Sequence, residues 1–173
     1  MLSRVIFVLG GAASGKSVFA ERLVARSGKA RVYLATAQAL DGEMRAKIDR
    51  HINRRGTGWT TFEAPLDPTP ALTGLRHDQI CLFDCATMWL SNQLLAGNDL
   101  NAAQSTLLAG IAACRADLVV VSNEVGHGIV PDNALSRRFR DVQGRLNIAL
   151  ATQADQVVQV TAGLARALKG ELP

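Results

Sequence analysis

The stretch Val5-Ile6-Phe7-Val8-Leu9-Gly10-Gly11-Ala12-Ala13-Ser14-Gly15-Lys16-Ser17 decides the fold. Its five leading apolar residues, without polar alternation, predict a strand buried on both faces. Gly10 to Ser17 then match the glycine-x4-glycine-lysine-serine pattern, and Val18, Phe19, Leu23 and Val24 give Ser17 to Arg26 a helical period. Strand, glycine loop and helix in that order make a cradle for an anion. Glycines let backbone N–H groups turn inward around a phosphate, and a helix starting near Gly15 adds the positive end of its dipole. Lys16 can then reach the β- and γ-phosphates of a nucleoside triphosphate, while the Ser17 hydroxyl is placed to ligand the Mg²⁺ that bridges them. A glycine-rich turn that only closes a strand would leave the lysine, the serine and both flanking elements as coincidence.

Outward from this loop, apolar runs recur at Arg31 to Leu34, Ile80 to Phe83, Leu118 to Val121 and Val157 to Val160. Helical patterns lie between them: Gly42 to Arg54, Met88 to Leu95, Ala102 to Cys114, and Asn133 to Gln153 with Arg137, Arg138, Arg140 and Arg145. Strands alternating with helices imply right-handed crossovers and an open α/β sheet, P-loop NTPase-like and mostly parallel, flanked by helices. Ligands of such a sheet sit at the carboxyl ends of its strands. The only composition shift is the proline-rich turn at Pro65, Pro68 and Pro70, and no repeat appears, so residues 1–173 read as a single domain.

With 48% hydrophobic and 20% charged residues over 173 positions, the chain can bury a core, which excludes disorder. No apolar run approaches the roughly 18 residues of a membrane-spanning helix, and Met1 to Leu9 lacks the features of a secretory signal. A cytoplasmic protein is expected, not embedded in a membrane. Cys81, Cys85 and Cys114 read as reduced packing thiols, and Cys81 with Cys85 lacks the further ligands of a zinc site. A net charge of +4 suits anionic substrates, but it is too diffuse for a nucleic-acid partner, and no basic residues interleave with aromatics to stack bases.

The second metal-side group should come from the end of another buried strand, where Ile80-Cys81-Leu82-Phe83-Asp84 supplies an acid. Asp84 is the Walker-B candidate; an acid in this place can equally be a helix cap. The three histidines form neither a zinc set nor a serine triad at recognisable spacing. His51 borders the apolar stripe of the predicted helix beside Lys47, Arg50, Arg54 and Arg55. Positive neighbours disfavour imidazolium and leave a neutral nitrogen able to attack phosphorus. The same pattern also describes a half-exposed histidine on a basic helix face, and both readings stand at this point. His77 looks like an ordinary loop residue; His127, between Gly126 and Gly128, has no role assigned.

Taken together, several runs resemble one family. Beside the phosphate loop they are Leu34-Ala35-Thr36-Ala37, Asp41-Gly42-Glu43-Met44, His51, Trp59, Glu63-Ala64-Pro65, Asp84-Cys85-Ala86-Thr87-Met88-Trp89-Leu90-Ser91-Asn92, Ser122-Asn123-Glu124-Val125-Gly126, Gly128-Ile129-Val130-Pro131 and Phe139-Arg140-Asp141. The chain resembles the bifunctional adenosylcobinamide kinase / adenosylcobinamide-phosphate guanylyltransferase family of cobalamin biosynthesis from residue 5 to about residue 168. The phosphate loop is shared by many enzymes; the runs from Asp84 and from Asn123 are far more specific.

The resemblance implies two reactions. The terminal phosphate of ATP or GTP passes to adenosylcobinamide, and a histidine then attacks the α-phosphorus of GTP, holding GMP until the substrate phosphate takes it to give adenosylcobinamide-GDP. His51 falls at that histidine's position. By the same carry-over Gly10, Gly11, Ala12, Ala13, Ser14, Gly15, Lys16 and Ser17 bind nucleotide phosphates, Ala35, Thr36 and Ala37 line the nucleotide site, and Ile52, Asn53, Arg54 and Arg55 are nucleotide contacts. Glu63 matches an acidic contact to guanine or ribose hydroxyls and Asp84 one to Mg²⁺. A homo-oligomer, typically a trimer, is also implied. Ala13 replaces an arginine frequent in the family's loop, which weakens one possible phosphate contact, and the tail after Gly163 departs from the family's ending; neither departure touches the chemistry.

Two other readings compete. A P-loop small-molecule or nucleotide kinase without guanylyl transfer would leave His51 structural, and the basic helix argues against it. Against a regulatory switch or motor ATPase, the sequence shows no Asn-Lys-x-Asp guanine signature of regulatory GTPases and no second module or linker through which to signal.

Overall fold

The computed structural model describes residues 4–38, 42, 46 and 56–173. In chain order these form β1 (Val5–Gly10), α1 (Lys16–Arg26), β2 (Ala30–Ala35), β3 (Trp59–Glu63), α2 (Thr69–Gly74), β4 (Gln79–Asp84), α3 (Ala86–Leu95), α4 (Leu100–Ala113), β5 (Asp117–Asn123), α5 (Ala134–Gln153), β6 (Gln156–Thr161) and β7 (Leu164–Lys169). The strands make one sheet in the order β3-β2-β4-β5-β1-β6-β7. All neighbours are parallel except the β6–β7 pair. All five apolar runs read from the sequence are strands of this sheet.

Alternate residues of the central strands feed two cores, because successive side chains of a strand point to opposite faces. Val5 and Phe7 of β1 join Cys81, Phe83, Leu118 and Val120 on one face, with Trp89, Leu107, Ile111 and Leu146 from helices. Ile6 and Val8 join Ile80, Leu82, Val119 and Val121 on the other, under Ala20, Leu23 and Val24 of α1. Helices on both faces are what unbroken apolar runs require. Trp89 is the largest fully buried side chain, and its indole N–H donates to the Leu66 carbonyl at 2.9 Å. Trp89→Ala is therefore expected to lower stability by about 3–5 kcal/mol, as large-to-small core changes do. The midpoint of urea unfolding checks this.

Two strands and one short helix extend the sequence reading. β3 is an edge strand with four of its five residues exposed, so it carries no apolar run to reveal it. Trp59 anchors it, edge-on to Tyr33 with ring centroids 6.2 Å apart and beneath the Arg31 guanidinium at 5.5 Å. The proline-rich segment is a turn followed by α2, which Pro70 opens because a first-turn proline lacks only an N–H that would be unpaired anyway. The chain after Gly163 forms β7, joined to β6 through Ala162 (φ 52°) and Gly163 (φ 78°). Two positive φ values in a two-residue turn match the right-handed twist of a hairpin. Within the predicted helix from Gly42 to Arg54, Gly42 and Ala46 are helical, and the rest lies outside the described residues.

Candidate active site

The phosphate loop leaves β1 at Gly10. A Cβ there would lie 2.5 Å from the Val160 carbonyl oxygen and 2.6 Å from Ser14 Oγ, so only glycine lets the loop close against β6. Ala13 (φ 55°) and Gly15 (φ 94°) both take positive φ, and that alternation of handedness turns successive N–H groups toward one side. Ala13 lacks glycine's freedom in that region, and strained backbone of this kind gathers at functional sites. Gly15 is the N-cap of α1, with no side-chain cap and no acid in the first turn, which leaves the positive helix end for an anion. Lys16 Nζ donates to the Gly11 carbonyl at 3.2 Å, folding the lysine over its own loop.

The tail braces this loop from outside. Gly163 N–H donates to the Ser14 carbonyl at 2.8 Å, and a Cβ on Gly15 would sit 3.1 Å from Gly163 Cα. Gly15→Ala thus meets both a left-handed backbone and a crowded neighbour. A strain of about 1–3 kcal/mol is expected, read as a lower thermal midpoint together with roughly tenfold or greater weakening of a fluorescent GTP analogue.

Beside the loop, the strand ends carry the acids in a row. Ala35 of β2 pairs with Glu63 of β3 on one side and Asp84 of β4 on the other, and Asp84 pairs in turn with Val121 of β5. Gly10 pairs with Asn123, so β5 separates Asp84 from the loop by one strand. Tyr33 donates its hydroxyl to Asp84 Oδ2 at 3.0 Å, fixing the carboxylate at the carboxyl end of β4. Glu63 is exposed.

Ala35 and Ala37 are half-buried, whereas Thr36 is fully buried. Its hydroxyl accepts from Cys85 N–H at 2.8 Å and donates to the Cys85 carbonyl at 2.7 Å, and Asn92 Nδ2 donates to its carbonyl at 2.8 Å. The Thr36 side chain is thus spent on locking β2 to β4, and its backbone N–H and carbonyl are likewise taken, by the Asp84 carbonyl and Asn92. Burial and the adjacent Asp84 charge push the Cys85 thiol up to about 12, so it stays protonated and does not compete as a nucleophile. All three cysteines are buried and free.

A buried polar network pins the end of β5. Ser122 Oγ meets Thr87 Oγ1 at 3.2 Å and donates to Asn147 Oδ1 at 2.7 Å, while Gln143 Nε2 donates to both Ser122 Oγ and Asn147 Oδ1 at 2.9 Å. Asn123 N–H donates to Thr87 Oγ1 at 2.8 Å, and Asn147 Nδ2 to the Asn123 carbonyl at 3.1 Å. Buried atoms without a protein partner include Ser14 Oγ and Asn123 Oδ1, which stand on either side of Gly10. An unpaired buried polar atom costs about 1–3 kcal/mol, and its place beside the loop fits a ligand that supplies the missing bond.

Gly10 to Ser17, Ala35 to Ala37, Glu63 and Asp84 are thus gathered at the carboxyl ends of β1, β2, β3 and β4. His51, Ile52, Asn53, Arg54 and Arg55 lie outside the described residues. Among the described residues no group of three His, Cys, Asp or Glu side chains could cage a metal. The Ser17 hydroxyl and the Asp84 carboxylate are oxygen donors of the kind Mg²⁺ takes, one or two from the protein with phosphate and water filling the shell. Sequence reasoning gave no role to Glu124, which follows β5 directly; its signal is the one that identified Asp84, an acid at the end of a buried run.

A sequence profile of the family described as cobinamide kinase / cobinamide phosphate guanyltransferase matches residues 6–168. The bifunctional adenosylcobalamin biosynthesis protein CobP of Pseudomonas aeruginosa is 44% identical over 167 residues, covering 95% of this chain and 96% of that protein. CobU of Salmonella typhimurium, of the same description, is 38% identical over 181 residues, with 95% and 99% covered. Among solved structures, an ATPase from the type III secretion system of pathogenic bacteria superposes with a TM-score of 0.54 at 10% identity. That match covers 95% of this chain and 56% of the ATPase, and it shows a shared fold.

Proposed function

This chain belongs to the cobinamide kinase / cobinamide phosphate guanyltransferase family, and from that membership we propose that it carries out both reactions on adenosylcobinamide. ATP or GTP donates a terminal phosphate to adenosylcobinamide; GTP then donates GMP to the product through a covalent GMP–His51 intermediate, giving adenosylcobinamide-GDP. The observation that carries this reading is the phosphate loop, with its left-handed Ala13 and Gly15 and uncapped helix end, at the same carboxyl end of the sheet as Glu63 of β3 and Asp84 of β4.

In the kinase step the loop N–H groups and Lys16 hold the phosphate chain and take up charge as it builds on the transferred group. Ser17 and Asp84 would hold Mg²⁺, which when bound neutralises phosphate charge. In the guanylyl step, a neutral His51 nitrogen attacks the α-phosphorus and pyrophosphate leaves. The substrate phosphate then attacks the same phosphorus and frees the imidazole. Splitting the transfer this way replaces one encounter between two anions with two displacements. Arg54 and Arg55, with Ile52 and Asn53, complete the nucleotide contacts around His51; Ala35 to Ala37 line the nucleotide. Glu63 suits guanine because a carboxylate can accept from both N1–H and the 2-amino group.

We read residues 1–173 as one domain acting as a homo-oligomer, as a trimer in the reading taken from the family. Three free buried thiols fit a reducing cytoplasm, and no described helix is long and apolar enough to cross a membrane. The test is a paired assay with adenosylcobinamide: γ-labelled ATP or GTP should label the corrinoid, and α-labelled GTP should label first the protein and then the phosphorylated corrinoid. Corrinoid labelled from the γ-position with no α-label on either species would leave a kinase alone.

A further inference from the structure

We propose that Glu124 is a catalytic residue of the kinase step, accepting the proton of the attacking hydroxyl. The proposal rests on the kinase half of the function above. Glu124 is the first residue beyond β5, and its backbone N–H donates to the Gly10 carbonyl at 3.0 Å, tying it to the residue that opens the phosphate loop. Asp84 pairs with Val121, so Glu124 stands three residues further along the strand direction, roughly 10 Å at about 3.3 Å per residue. The two acids are thus separated: Asp84 at the end of β4, held by the Tyr33 hydroxyl, and Glu124 just past the residue paired with Gly10.

The carboxylate is held but not neutralised. Its Oε1 accepts from Gly126 N–H at 2.7 Å, and among the described residues no cation pairs with it. Gly126 is required for this, since a Cβ there would lie 2.8 Å from Glu124 Oε1. Arg140 grips the same turn from behind, donating from Nη2 to the Gly126 carbonyl. Behind the strand, Thr87, Ser122, Gln143 and Asn147 fix the backbone of Asn123. Each of these four side chains makes at least one buried hydrogen bond, and together they fix the strand end that carries Glu124. Such rigid support is what a proton acceptor needs, because general-base catalysis depends on reach to within a hydrogen bond.

In the step assigned to Glu124, the acceptor oxygen of adenosylcobinamide forms a bond to the γ-phosphorus while the bond from that phosphorus to the β,γ-bridging oxygen breaks. The electrons of the broken bond leave with the nucleoside diphosphate. The hydroxyl proton passes to the Glu124 carboxylate and is then lost to water. The guanylyl step has no hydroxyl to deprotonate, since its nucleophiles are a neutral imidazole and a phosphate oxygen.

Glu124→Gln separates chemistry from support, because the glutamine carbonyl still accepts from Gly126 N–H but cannot take a proton. With the full chain, adenosylcobinamide and γ-labelled ATP, kcat should fall about a hundredfold or more, the range of a lost general base. Binding of a fluorescent GTP analogue and labelling of the protein by α-labelled GTP should stay within about threefold of the parent. A kinase rate within about threefold of the parent would overturn the proposal while leaving the kinase itself established. Equal losses in kinase rate, α-labelling and nucleotide binding would also overturn it, placing Glu124 among purely structural residues. A parent protein that takes the α-label but never phosphorylates the corrinoid would instead overturn the kinase reading beneath it.

Discussion

His51→Ala is expected to abolish the guanylyl adduct formed from α-labelled GTP and to slow guanylyl transfer by roughly a thousandfold or more, because the covalent route loses its nucleophile. Phosphorylation of adenosylcobinamide should survive within about threefold, since no step at the γ-phosphorus uses the imidazole. The adduct of the parent protein should be acid-labile and base-stable, as a phosphorus–nitrogen bond to imidazole is, whereas a serine or threonine ester would resist acid. Retention of label in His51→Ala would move the nucleophile to another residue. Cys85, the cysteine nearest Asp84 in sequence, is held protonated by burial, and His77 precedes β4 at the amino ends of the strands, so the natural alternative is His127.

Lys16→Ala should weaken both reactions by about a hundredfold to a thousandfold, the usual consequence of removing one charge-stabilising donor. In the proposed function both reactions begin from a triphosphate held by this loop. The lysine lies over the loop, donating to the Gly11 carbonyl at 3.2 Å. A steady-state assay of each half-reaction at saturating nucleotide checks this. An unchanged rate in both would remove the loop from the mechanism, and loss of the kinase alone would give the two reactions separate phosphate sites.

How much of this was legible in the sequence follows from where each interaction lies along the chain. The phosphate loop is contiguous, and the residues of its motif all lie among Gly10 to Ser17, so a local pattern suffices to find it. The five central strands are buried on both faces and announce themselves as apolar runs. β3 does not, because its exposed Thr60, Thr61 and Phe62 follow no two-sided burial. β7 is short and alternates small residues with exposed ones; its one local signal is the Ala162-Gly163 turn.

Within the site, the unreadable parts are the long-range ones. Tyr33 reaches Asp84 across 51 positions, Thr36 locks Cys85 across 49, and Gly163 braces Ser14 from the far end of the chain. None of these leaves a trace in spacing, because the sheet order that creates them is set by tertiary packing. Thr36 shows the consequence: its neighbours suggest a ligand contact, while its buried hydroxyl is occupied within the protein. Glu124 is the opposite case, an acid visible at a strand end whose nearness to Gly10 only the pairing of β5 with β1 reveals.

The most direct test of the central claim is to incubate the protein with GTP and Mg²⁺, quench in base, digest, and map the modified peptide by mass spectrometry. The guanylyl group should be found on the His51 imidazole. A guanylyl group on any other side chain, or GTP turned over to adenosylcobinamide-GDP with no modified peptide at any time point, would contradict it.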